Sequence, residues 1–214
     1  MRFLCLHGGN TSGEIFEIQS GGISQSLAAA GHSFTYINGR LNSECEPELK
    51  GIVPPPFYTH YPRDIAPGED LLKAIEYTHR IISRDGPFDA VMGFSQGAAL
   101  AFSLLVHHAE KNGPSAPPLF KAAVFICAGA PYDLSGRTVF RLPEGAESPV
   151  KIPTVHIVGK QDSLYSQGVM LYELCDPSVA EFYDHGSKHM IPFDAMNNDA
   201  MVKIIEKMIE RVKR

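Results

Sequence analysis

Short apolar runs alternate with amphipathic stretches along most of this 214-residue chain. Residues 3–6, 33–37, 88–92, 122–127, 153–158 and 179–183 are compact, β-prone runs of the length of buried strands. Between them the spacing predicts helices over 14–18 and 23–30, with Gly21-Gly22 as an interruption. A longer helix is predicted over 69–83, where Leu71, Leu72, Ile75, His79 and Ile82 fall near one face. Further helices are predicted over 96–110, 167–174 and 195–212, the last with a stripe of Met201, Ile204, Ile205, Met208 and Val212. Strands that alternate with helices imply an α/β fold, a mostly parallel sheet covered on both faces. Residues 112–118 read as a Pro/Gly-rich turn. Two stretches lack periodicity: 38–67, which contains Pro54-Pro55-Pro56, and 129–149. Irregular stretches of that length in a compact domain are usually functional. Neither a repeat nor a linker interrupts the pattern, so one domain over 1–214 is expected.

Composition narrows the function classes. Hydrophobic residues make up 44% and the net charge is −5, without a long block of one sign. This is a globular chain with no nucleic-acid footprint. The basic run Lys203, Lys207, Arg211, Lys213 and Arg214 alternates with Glu206 and Glu210, as on a solvated helix face. Cys5, Cys45, Cys127 and Cys175 show no metal-ligand or C-x-x-C spacing. Cys5 and Cys127 sit in apolar runs, where cysteine acts as a small hydrophobe. No apolar stretch is long enough to span a membrane. A cytoplasmic protein is expected.

The chemistry concentrates at strand ends, where open α/β sheets place their sites. Gly93-Phe94-Ser95-Gln96-Gly97 reads G-x-S-x-G between a predicted strand and a predicted helix. That context marks the nucleophile elbow of α/β-hydrolases, with Ser95 as nucleophile. Acyl transfer by serine also needs a base, a carboxylate that orients it, and donors for the oxyanion. The order Ser, acid, His points to Asp162 after the fifth strand and His189 after the sixth. Asp133 and Asp176 are weaker acids by position, Asp162 could instead cap a helix, and His185 is the alternative base. The Gly-rich loop His7 to Gly13 follows the first strand. Gly9 N–H is the expected oxyanion donor beside Gln96 N–H, with Asn10 N–H as the alternative. The loop lacks the Lys-Ser/Thr of a phosphate loop, and no H-E-x-x-H appears. Neither a metal nor another cofactor is expected.

Leu6-His7-Gly8, Gly86-Pro87-Phe88-Asp89, Gly93-Phe94-Ser95-Gln96-Gly97-Ala98, the run from Pro153 to Gly159 with Asp162, and the run from Gly186 to Pro192 recur in one order. In this combination the chain resembles the FSH serine hydrolases, which include fungal polyketide-releasing thioesterases. The resemblance spans essentially the whole chain. It implies a compact α/β-hydrolase without a large cap and a triad of Ser95, Asp162 and His189. The family commonly has Gly before the catalytic His, where this chain has Lys188, and often a Trp near the substrate, where this chain has none.

The expected activity is hydrolysis of an ester or thioester of a hydrophobic acyl group. By resemblance, the substrate would be presented by the acyl carrier domain of a polyketide synthase. A broad carboxylesterase for small or medium acyl esters is the rival enzyme reading. A non-catalytic hydrolase-fold binding protein would show a damaged triad, and here all three positions are filled. The 38–67 and 129–150 stretches are expected to wall the pocket, with Asn10, Phe57, Tyr58, Tyr61, Tyr132 and Tyr165 as candidate substrate contacts.

Overall fold

A computed structural model describes residues 1–113 and 115–213; Pro114 of the expected turn and Arg214 of the basic run lie outside the described residues. Six parallel strands form the sheet: β1 (Arg2–Leu6), β2 (Ser33–Ile37), β5 (Ala90–Phe94), β6 (Ala122–Ile126), β7 (Thr154–Val158) and β8 (Ala180–Asp184). Their order is β2-β1-β5-β6-β7-β8. The chain therefore runs outward from β1 to β2 and resumes on the other side at β5. The carboxyl ends of β1 and β5 flank this switch point, where α/β sheets leave a crevice.

Side-chain alternation divides the core into two layers. Leu4, Leu6, Val91, Ala123 and Phe125 face α3 (Glu69–Asp85), α4 (Gln96–Asn112) and α5 (Tyr165–Glu173). Phe3, Cys5, Met92, Val124 and Ile126 face α1 (Gly13–Gln19), α2 (Gly21–Ala29) and α6 (Ala195–Val212). Burial of one large side chain in these layers is worth about 1.5–3 kcal/mol.

Three expectations change. Gly21-Gly22 does not interrupt the first helical region. Ser20 separates α1 from α2, and both glycines lie in the first turn of α2. A Cβ on Gly22 would stand 2.4 Å from Asn198 Oδ1 on α6, a side-chain end that would have to turn aside. On α3 the buried face is Leu71, Ala74, Ile75, Thr78 and Ile81, which turns Leu72 and His79 toward the surface. The 38–67 stretch is not wholly irregular. It holds β3 (Leu41–Ser43) and β4 (Phe57–Thr59), paired antiparallel, and a short 3₁₀ turn at Pro47–Leu49.

Candidate active site

The residues singled out by strand-end position converge at the carboxyl edge of the sheet. Ser95 lies between β5 and α4 with φ 54° and ψ −116°. An L-residue in such a conformation costs about 1–3 kcal/mol and persists because its surroundings over-determine it. Here Ser95 N–H donates to Ile126 O at 2.9 Å, and Ser95 O accepts from Gly129 N–H at 3.2 Å. The flanking glycines make the turn sterically possible. A Cβ on Gly97 would sit 2.1 Å from Leu6 O, and one on Gly93 would sit 2.5 Å from Ala98 N.

Asp162 follows β7 and divides its two oxygens between two tasks. Oδ1 accepts Leu164 N–H at 2.8 Å, and Oδ2 accepts from His189 Nδ1 at 2.7 Å. Asp162 is not the helix cap: α5 starts at Tyr165 with Leu164 at the cap position, and the Leu164 N–H bond closes only a local turn. Burial alone would raise the Asp162 carboxyl. The hydrogen bonds from His189 and the Leu164 N–H outweigh it and hold the group below its ordinary value. The Asp162 side chain is 1% exposed and that of His189 33%. The His189 ring also stands against Phe94, with centroids 5.0 Å apart, which brings it to the strand end that carries Ser95.

The other acid and base candidates are occupied elsewhere. Asp133 accepts from Ser135 and Thr138 in its own loop, which pull it down to about 2. Asp176 accepts from Ser178 N–H and Oγ. His185 is buried, and its Nε2 faces Cys127 Sγ at 3.6 Å.

The loop after β1 is held by two neutral histidines. Gly39 N–H donates to His7 Nε2 at 2.8 Å, so the His7 proton resides on Nδ1 and points to Gly8 O at 2.6 Å. Thr11 Oγ1 donates to the same carbonyl at 2.8 Å. Gly8 C=O and Gly9 N–H share one peptide plane, so fixing the carbonyl fixes the opposite direction of the N–H. His60 Nε2 donates to His7 O at 3.0 Å, and the two rings lie 4.6 Å apart. Burial lowers His7 to about 4 and pushes His60 well below its ordinary value.

Gly9 and Gln96 are neighbours: a Cβ built on Gly9 would lie 3.7 Å from Gln96 Cδ, and one on Gly8 would lie 3.4 Å from Ser95 Cβ. The Gln96 side chain does something the sequence did not signal. Its Oε1 accepts from Thr59 Oγ1 at 2.7 Å and from His60 N–H at 2.9 Å, while its Nε2 donates to Tyr61 O at 2.9 Å. It therefore pins residues 59–61 beside the Gly9 loop.

The candidate substrate contacts are dispersed. Asn10 has φ 58°, and its carbonyl accepts Glu46 N–H at 3.0 Å. Tyr58 pairs with Thr11, while Phe57 beside it is half-buried. Tyr61 departs from its expected place: it is 5% exposed and packs into the core with Leu71 and Ile75. Tyr132 packs against that same core, and Tyr165 begins α5 half-buried. A cavity of about 220 Å³ is lined by Tyr58, Ile15, Ile18 and Pro54, and a groove of about 570 Å³ lies between α3 and α4. Neither is lined by Ser95, Asp162 or His189.

Cys127, which the sequence marks only as a small hydrophobe, lies beside the candidate site. Its sulfur, an Asp162 oxygen and a His189 ring nitrogen all lie within 4.8 Å of one another, a donor set of the kind that can hold a metal. The Asp162–His189 hydrogen bond already brings two of these donors together. The strand-end rule could have found Cys127, because it immediately follows β6.

The family model described as "Serine hydrolase (FSH1)" matches residues 1–201. The chain is similar to esterase FPY3 of Fusarium mangiferae, 34% identical over 220 residues, with 99% of this chain and 98% of the relative covered. It is also similar in structure to SOBER1 of Arabidopsis thaliana, with a TM-score of 0.62 at 17% identity, covering 98% of this chain and 99% of that one. Acyl-protein thioesterase 2 of Zea mays gives a TM-score of 0.63 at 19% identity, covering 97% and 93%. These likenesses extend to the whole α/β-hydrolase fold.

Proposed function

Because this chain belongs to the FSH serine hydrolases, we propose that Ser95, His189 and Asp162 form its catalytic triad and cleave an ester or thioester of a hydrophobic acyl group. The observation that carries the reading is the 2.7 Å hydrogen bond from His189 Nδ1 to a buried carboxylate, with the His189 ring against Phe94, the residue before a serine held at positive φ. With Nδ1–H committed to Asp162, the neutral ring presents Nε2 as the acceptor for the Ser95 proton. Ser95 Oγ attacks the acyl carbonyl while His189 takes that proton. Gly9 N–H and Gln96 N–H stabilise the oxyanion. His189 returns the proton to the leaving group, and water then cleaves the acyl-enzyme by the reverse sequence. The fixed Gly8 carbonyl favours Gly9 over Asn10 as the loop donor.

The finer reading is a hydrophobic acyl thioester delivered by a polyketide synthase carrier domain in the cytoplasm. It rests on the resemblance to polyketide-releasing thioesterases, and the four free cysteines accord with a reducing compartment. A broad carboxylesterase is the second reading. It is favoured by the 33% exposure of the His189 side chain, which leaves room for small soluble esters. The test is kcat/KM across oxygen esters and thioesters of graded acyl length, with Ser95→Ala as control. Remote acyl binding energy should raise kcat/KM as the chain lengthens. Best turnover of acetyl or butyryl esters would select the carboxylesterase reading. Undiminished turnover and fluorophosphonate labelling in Ser95→Ala would overturn the triad.

A further inference from the structure

The carboxyl end of β6 reaches all three triad positions without belonging to the triad. Its backbone holds the elbow, through Ile126 O and Gly129 N–H on Ser95. Its Cys127 N–H donates to Ile157 O at 2.8 Å, on the strand that leads to Asp162. Its Cys127 side chain meets the loop that carries His189. Cys127 has φ 45°, so β6 ends, like β5, in a strained non-glycine residue. A buried cysteine serving as filler needs no such conformation.

The hydrogen bonds around that thiol form an ordered chain. Ser187 N–H donates to His185 Nδ1 at 3.2 Å, so neutral His185 carries its proton on Nε2. That proton faces Cys127 Sγ at 3.6 Å, and the thiol donates to Met190 O, also at 3.6 Å. Met190 is the residue after His189. Burial, followed by the Asp162 charge, raises the Cys127 thiol, which keeps it a donor rather than a thiolate. We propose that Cys127 and His185 are positioning residues: together they register the loop after β8 against the ends of β6 and β7, and so hold the His189 ring in line between Asp162 and Ser95. His185 is thereby a support for the base and not a second base. Misplacement of about 1 Å in such a group can cost 10²-fold in rate.

The proposal rests on the triad reading, and the test separates the two. Cys127→Ala, Cys127→Ser, His185→Leu and His185→Gln are compared on enzyme titrated with a fluorophosphonate, so that kcat refers to competent sites, and Ser95→Ala is assayed per total protein. Cys127→Ala and His185→Leu should each lower titrated kcat by roughly tenfold or more with KM little changed. Cys127→Ser and His185→Gln, which keep a donor in place, should recover much of the loss. In proton NMR the His189 Nδ1–H signal should broaden in the two deficient variants and sharpen again in the conservative ones. A merely structural role would lower the melting temperature and the titratable fraction and leave kcat per competent site unchanged. That outcome, with Ser95→Ala inactive, overturns the positioning proposal and leaves the triad standing. Active Ser95→Ala overturns the triad reading and this proposal with it.

Discussion

Replacing the Gln96 side chain tests whether the elbow residue acts through its backbone alone. If it did, truncation would be mild. The hydrogen bonds argue otherwise. In Gln96→Met, similar in volume but without polar atoms, the single Thr59 hydroxyl proton that went to Gln96 Oε1 turns to Tyr61 O, 3.0 Å away, so both groups stay paired. His60 N–H loses the side-chain acceptor that held it at 2.9 Å. A buried unsatisfied N–H costs about 1–3 kcal/mol, and the lost bond to Tyr61 adds about 0.5–1.5 kcal/mol. The expected destabilisation is about 1.5–4.5 kcal/mol. Thr59→Val is the control: it removes a hydroxyl yet leaves Gln96 bonded to His60 N–H and Tyr61 O, so it should cost under about 1 kcal/mol. Residues 59–61 flank Gly9, whose Cβ position lies 3.6 Å from Thr59 Oγ1. Loosening that flank should lower titrated kcat about tenfold in Gln96→Met, which corresponds to about 1.4 kcal/mol. Urea midpoints and active-site-titrated kinetics measure both quantities. A Gln96→Met protein within about 0.5 kcal/mol of the parent, or one no worse than Thr59→Val, would refute the reasoning.

Gly97→Ala should destabilise by more than about 3 kcal/mol or fail to fold, because its methyl would meet the β1 backbone at Leu6 O; a parent-like melt and normal fluorophosphonate labelling would contradict this. Gly9→Ala should be nearly silent, since its Cβ meets nothing closer than 3.6 Å, whereas Gly9→Pro removes the N–H and should cost roughly 10²-fold in kcat. A folded Gly9→Pro enzyme with normal kcat would move the donor to Asn10. His7 is neutral in the fold, lowered from 6.5 to about 4 by burial. Between those pH values the unfolded chain takes up a proton that the native state refuses. Its contribution is therefore complete above about pH 6.5 and lost as pH falls toward 4, on the order of 3 kcal/mol. Urea midpoints from pH 7 to pH 4.5 should fall less steeply in His7→Asn; equal slopes would remove His7 as a cause.

The sequence carried the sheet because period is a local signal. Each strand is an apolar run, each long helix has a stripe, and a parallel α/β sheet needs little more. It carried the Ser95, Asp162 and His189 positions because strand ends are where this architecture gathers side chains. What it hid depends on partners distant in the chain. β3 and β4 are three residues each, too short for periodicity to register. The turn beyond β4 is fixed by Gln96, 35 or more residues away. The α3 face was misjudged because Leu72 is apolar yet exposed, while Thr78 is polar yet buried. Cys127 resembled any small residue in a buried strand, and neither its positive φ nor the Met190 carbonyl opposite it is written in the local sequence.

On the proposed triad, strand order explains why His189 needs more support than Asp162. β7 and β8 are neighbours, so Asp162 and the loop carrying His189 leave the sheet side by side. Ser95 follows β5, three strand spacings from β8, or about 14 Å at ordinary separation. The loop after β8 must therefore run back across the ends of β7 and β6 before His189 reaches the elbow. It is attached at each crossing. Over β7, Gln161 N–H donates to Ser187 O at 3.0 Å, and Gln161 Nε2 donates to Gly186 O at 2.9 Å. Over β6, the Cys127 thiol donates to Met190 O, and His185 Nε2 faces the same sulfur. At β5 the His189 ring lies against Phe94. An unsupported span of that length would let the imidazole wander by more than the roughly half-ångström tolerance of a catalytic constellation. The succession of attachments converts a long loop into a rigid arm, and the strain at Cys127 lies at its hold over β6, one strand short of Ser95.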